Sequence, residues 1–145
     1  MRKALFEATI NQPVDTVWSV ITKVEDYPSY VRYVHKVEQP KSLKVGSEWF
    51  DWSTIIFVPL RLKHTVVKME PNKVLGFFVP LPFGGKMNQL FTITQYGRGT
   101  KLYAEINFDL KYPIFNQVIG PILTRRLVLM MNLSLGNFKR KQNGS

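Results

Sequence analysis

"TKLYAEINFDL", residues 100–110, is the stretch that decides the fold. Leu102, Ala104, Ile106, Phe108 and Leu110 alternate with Tyr103, Glu105, Asn107 and Asp109, so an extended chain here is apolar on one side and polar on the other. Such a strand belongs to an antiparallel sheet with one face in water and one face against something apolar. Upstream, "KVEQP", "SEWFDWS", "LRLKHTVVKME", "KVLGFFV" and "KMNQLFTITQY" read as further strands, divided by the turn signals "KVG", "EPNK", "PLPFGG" and "GRG". Tight turns between consecutive strands imply hairpins, and hence a meander.

Downstream lies the expected cover for the apolar face. After "KYPIF", residues 116–139 hold only Gly120 and Pro121 as early breakers and then run helix-compatible to Phe138. Val118, Ile122, Leu129 and Leu133 form its stripe, widened by Leu127, Val128, Met130 and Met131, so this helix needs contact on more than one side. At the other end, residues 3–10 read as a strand. Pro13 then opens a helix with Asp15 near its positive end and Val14, Val17, Trp18 and Ile21 on one stripe. Asp26 caps a second expected helix carrying Tyr27, Tyr30, Val31 and Val34 at the same spacing. The expected order is β-α-α-β-β-β-β-β-β-α. It is an α+β fold in which a curved antiparallel sheet of about seven strands wraps a long C-terminal helix, one domain over residues 1–145.

Composition bounds the function. The 145 residues suit one domain with one core, and 45% hydrophobic content argues against disorder. No cysteine is present, which removes thiolate catalysis and cysteine-ligated metal centres. Glu7 interrupts the first apolar run too early for a signal-peptide core, and no span of about 18 uncharged apolar residues exists, so the expected location is the cytoplasm. The net charge of +10 favours anionic partners, yet the cations are scattered, with doublets at Arg2–Lys3 and Arg125–Arg126 and a cluster at 139–141.

The stretch "FEATINQPVDTVWSVITKVEDYPSYVRYVHKVE", together with the element order, resembles the START-related (SRPBCC) superfamily, in its polyketide cyclase/dehydrase and lipid-transport-like branch. The residues that carry the resemblance are Pro13 with the Val17–Trp18 pair, Asp26-Tyr27-Pro28 followed by Tyr30, and the hairpin "VVKMEPNKVLGF" at 66–77. The resemblance covers nearly the whole chain. It implies a helix-grip fold with a cavity between sheet and helix that holds lipids, polyketides or other apolar molecules. It transfers no catalytic residue, because the lining of the cavity and not the fold decides the chemistry.

The expected lining is Phe91, Ile93, Leu102, Ala104, Ile106 and Phe108 from the sheet, with Ile122, Leu129 and Leu133 from the helix and Arg126 as an anchor for a ligand carboxylate. Three junctions with large apolar residues fall where that resemblance puts the cavity mouth: "TIIFVPL" (Ile56, Phe57), "PLPFGGK" (Leu81, Phe83) and "YPIFNQ" (Ile114, Phe115). They either gate an apolar ligand, dock on an anionic membrane or a partner, or fold inward and complete the core.

Chemically reactive candidates are few. Asp51 stands between Trp49 and Trp52, where desolvation would make a general base. His64 lies in a strand whose two faces are both mixed, so its direction is open, and neither it nor His35 has metal-site spacing. "GGK" at 84–86 lacks the rest of a phosphate loop, and "NLS" at 132–134 sits in an expected helix. No metal or cofactor is expected. The first reading is a non-enzymatic binder of an apolar small molecule. The second is a cyclase, aromatase or dehydratase using Asp51, His64 or a tyrosine. Nucleic acid is disfavoured because an exposed aromatic-and-basic strand pattern is missing.

Overall fold

The alternation in the strands is realised as a single seven-stranded antiparallel sheet in the order β1-β7-β6-β5-β4-β3-β2. The strands are β1 (Arg2–Ile10), β2 (Val34–Glu38), β3 (Glu48–Ile56), β4 (Val58–Glu70), β5 (Val74–Pro80), β6 (Lys86–Tyr96) and β7 (Gly99–Asp109). This computed structural model describes residues 2–31, 34–38, 42–56, 58–114, 117–122 and 124–125. The long C-terminal helix is expected over residues that lie mostly outside this set. Within it, 117–122 and 124–125 are helical.

Consecutive strands from β2 to β7 pair as hairpins, and β1 closes on β7 with Ala4 opposite Ile106 and Phe6 opposite Ala104. Directly opposed residues share a face. The register therefore joins Ala4, Phe6, Ala8 and Ile10 to Leu102, Ala104, Ile106 and Phe108, and these to Met87, Gln89, Phe91 and Ile93, on one inner face. Nearly all of them are buried, Ile106 and Phe108 completely. Burying side chains of this size is worth about 1.5–3 kcal/mol each, which makes this face the main source of stability.

The helix α1 (Val14–Ile21) follows β1. Its stripe is as expected: Val17 and Ile21 are buried, with Val14 and Trp18 partly so. Pro13 occupies the cap in an extended conformation, and its carbonyl accepts from the Val17 amide at 3.1 Å.

The second expected helix is shorter than the spacing suggests. Val24–Ser29 form a 3-10 segment that contains Pro28, and Val34 already begins β2. Proline lacks the amide that a continuing helix needs. Tyr27 and Tyr30 still bury their rings, 5.8 Å apart and edge to face.

Antiparallel order brings three segments to one end of the sheet: the β3–β4 junction, the β5–β6 turn and the exit from β7. These are the three apolar junctions singled out in the sequence. "TIIFVPL" is mostly strand, with Thr54–Ile56 ending β3 and Val58–Leu60 beginning β4.

In the β5–β6 turn, Pro82–Gly84 form a 3-10 segment closed by the Leu81 amide donating to the Gly85 carbonyl at 2.9 Å. Gly84 has a φ of +81°, a conformation that favours glycine. A side chain on Gly85 would come within 2.9 Å of the Asp109 carbonyl oxygen, so glycine lets this turn press against the end of β7.

Candidate functional site

β3 and β4 carry a polar group onto the same inner face. Trp49 opposes His64, Asp51 opposes Leu62 and Ser53 opposes Leu60. Alternation along β3 therefore turns Trp49, Asp51 and Ser53 inward and sends Trp52 outward, where it is 37% exposed. The expectation that two tryptophans flank Asp51 is corrected by this. Only Trp49 shares its face, and the groups beside the carboxylate are Ser53 and His64.

Asp51 is 2% exposed and His64 3%. The Ser53 hydroxyl donates to Asp51 Oδ1 at 2.9 Å. His64 Nε2 lies 2.9 Å from Asp51 Oδ2. That separation suits an ion pair, but the ring N–H does not point along the line to the oxygen, and Nε2 makes no hydrogen bond of ordinary geometry.

His64 also stacks on Trp49, with ring centres 4.1 Å apart and planes 8° from parallel. Phe77 on β5 meets both rings edge-on, and Tyr27 meets Trp49 edge-on. Among the described residues, three buried side-chain polar atoms lack a hydrogen-bond partner: Trp49 Nε1, His64 Nδ1 and His64 Nε2. All belong to this one stack. His35, by contrast, is exposed on β2 and hydrogen-bonds Thr54 Oγ1 at 2.5 Å.

Of the expected lining, Ile93, Leu102, Ala104, Ile106 and Phe108 are buried on the inner face. Phe91 shares that face but is only partly buried, although its register partners Leu75 and Ala104 are 0% and 3% exposed. Ile122 keeps 48% of its surface exposed. Val118 and Ile114 are likewise exposed, at 60% and 65%. Leu81 is partly buried and packs on the core, in keeping with the inward-folding alternative. Phe57, Phe115, Arg126, Leu129 and Leu133 lie outside the described residues, as do the side chains of Ile56 and Phe83.

A groove of about 420 Å³ lies on the opposite face, bordered by Leu5, Glu7, Leu90, Thr92, Tyr103 and Glu105. Ala104 alone of the expected lining touches it. Two ion pairs flank the groove: Lys3 to Glu105 at 2.9 Å and Lys101 to Glu7 at 3.0 Å. The hydrogen bond from Lys3 lowers the Glu105 pKa, and the bond to Glu7 raises that of Lys101. At the other end of the sheet Arg61 holds Glu38 at 2.6 Å, which lowers the carboxyl pKa, and lies over the Phe50 ring. No cluster of three metal-ligating residues occurs among the described residues, and no described helix is long and apolar enough to cross a membrane.

A seven-stranded antiparallel sheet with one short helix and one 3-10 segment between β1 and β2 is a START-like fold. The chain belongs to the family described as "Polyketide cyclase / dehydrase and lipid transport", which matches residues 1–142.

Solved structures agree on the fold. TTHA0849 from Thermus thermophilus superposes with a TM-score of 0.81 at 14% identity, over 99% of this chain and 98% of that one. A START superfamily protein from Mycobacterium smegmatis gives 0.79 at 15% identity, over 98% and 97%. DynU16, from the dynemicin biosynthetic locus, gives 0.67 at 15% identity, over 95% of this chain and 46% of that one. No curated protein matches the sequence.

Proposed function

We propose that the protein binds an apolar small molecule, lipid-like or aromatic, against the inner face of the sheet. One observation carries this reading: Phe91 sits mid-sheet on a buried face, between fully buried partners, and still keeps accessible surface. A central-strand aromatic in close-packed surroundings has no such surface unless space adjoins it. Membership of a family named for cyclases and lipid transport supports the same reading. Binding would rest on apolar burial, with the few polar groups of the face fixing orientation. The experiment is mass spectrometry of solvent extracts from purified protein, with thermal shift against a lipid panel. A co-purifying apolar molecule or a stabilising lipid is the expected result. Neither appearing would remove the reading.

A second reading, an acid–base enzyme on the same face, is favoured by the 2.9 Å approach of His64 to Asp51. It predicts that the Asp51→Asn variant co-purifies with an unprocessed molecule whose mass differs from that held by the wild type. Identical cargo in both proteins would leave the binding reading alone.

A further inference from the structure

The stack of Trp49 and His64 is more than a packing device. Leaving a buried donor or acceptor without a partner costs roughly 1–3 kcal/mol. Here three such atoms sit in one cluster, on side chains at most 4% exposed. A phenylalanine at either position would stack as well without that cost. The retained nitrogens are therefore polar capacity that the described protein groups do not use. Nε2 faces the Asp51 carboxylate at 2.9 Å, so the nitrogen left to meet a ligand is Nδ1, which accepts when the ring carries its hydrogen on Nε2. Trp49 Nε1 can only donate.

A group satisfying both must accept and donate, and the simplest such group on an apolar ligand is a hydroxyl. Phe77 stands between this stack and the accessible ring of Phe91, edge-on to Trp49 and His64 at 5.5 and 5.8 Å and to Phe91 at 6.2 Å. Phe77 is thus the side chain that touches both the stack and Phe91.

We infer that Trp49 Nε1 and His64 Nδ1 form the polar end of the ligand site and select an aromatic molecule bearing a hydroxyl. This rests on the ligand-binding reading above and names the class of ligand. Isothermal titration with 2-naphthol and with naphthalene tests it, since the two differ by one hydroxyl. Wild-type protein is expected to bind 2-naphthol about tenfold more tightly, the worth of one or two satisfied buried hydrogen bonds.

The Asp51→Leu/His64→Phe double variant keeps an aromatic on Trp49 and removes the whole polar pair. It should bind both probes alike, at the naphthalene affinity. Trp49→Phe, which deletes only the indole N–H and its ring, is the second variant should the double variant not fold, and it should lose most of the preference. Equal affinities in the wild type, or a preference that survives in the variants, overturns the inference and leaves apolar binding intact. If neither probe binds, this inference falls, while the solvent extracts and the lipid panel still decide the binding reading.

Discussion

The inner face of the sheet has two unlike halves. Across β1, β7 and β6 it is almost wholly aliphatic and aromatic, from Ala4 and Phe6 through Ile106 and Phe108 to Met87 and Ile93, with Gln89 and Thr100 as the polar exceptions. Across β3 and β4 the same depth holds Asp51, Ser53 and His64, roofed by Trp49 and Phe77. Burial is equal on the two sides; what differs is how much the arrangement depends on geometry. Dispersion and water exclusion are non-directional, so the aliphatic half tolerates changes of shape. A buried carboxylate depends on specific partners, and losing one leaves the other stranded.

That contrast can be broken by experiment. The largest effect is expected at the polar half: Asp51→Ala or His64→Ala alone should lower unfolding free energy by about 2–3 kcal/mol, the upper part of the range for leaving a buried polar group without its neighbour. The Asp51→Leu/His64→Phe double variant should lose far less than the two single changes together, giving a large coupling term in urea denaturation. Additive losses would show that the two groups do not act as a pair.

In the aliphatic half a conservative truncation should matter less. Ile106→Val, at a fully buried position opposite Ala4 and Gln89, should cost about 0.5–1.5 kcal/mol and leave the denaturant slope unchanged.

The smallest effect lies on the outer face. Glu105→Gln removes the ion pair with Lys3 and should change stability by less than about 1 kcal/mol, an effect that fades in salt. Its pKa is lowered from the ordinary 4.5, so its contribution is present above that value and disappears as pH falls through the depressed one. In the Glu105→Gln protein the acid limb of the stability curve should accordingly be slightly flatter than in the wild type.

The two halves also differed in how far the sequence exposed them. The alternation at 100–110 holds without interruption, and β7 with its neighbours follows it residue for residue. In β4 the alternation could not be followed by eye because the register slips. Leu62, His64 and Val66 face inward, but a bulge between Val66 and Lys68 puts Met69, not Lys68, on that face opposite Leu75. "HTVVKM" therefore looks mixed on both sides, and the direction of His64 was hidden.

The sequence places tryptophans beside Asp51, whereas its partner Ser53 follows from alternation within β3 and its neighbour His64 from cross-strand register, which no single strand encodes. The short second helix could have been anticipated from Pro28. The unpartnered nitrogens of Trp49 and His64 left no trace in the sequence, because hydrogen-bond satisfaction is a property of the assembled core.

The seating of Gly85 against Asp109 has a practical consequence for engineering. At the adjacent Gly84 a side chain would meet only the outer part of the flexible Lys111 side chain, so the constraint there is the glycine's φ of +81°. Through Gly85 the hairpin tip is seated directly on the backbone of the strand exit. Loop grafts or fluorescent labels at 82–85 would displace the departure point of the last strand, and a graft designed for one must be co-designed with the other.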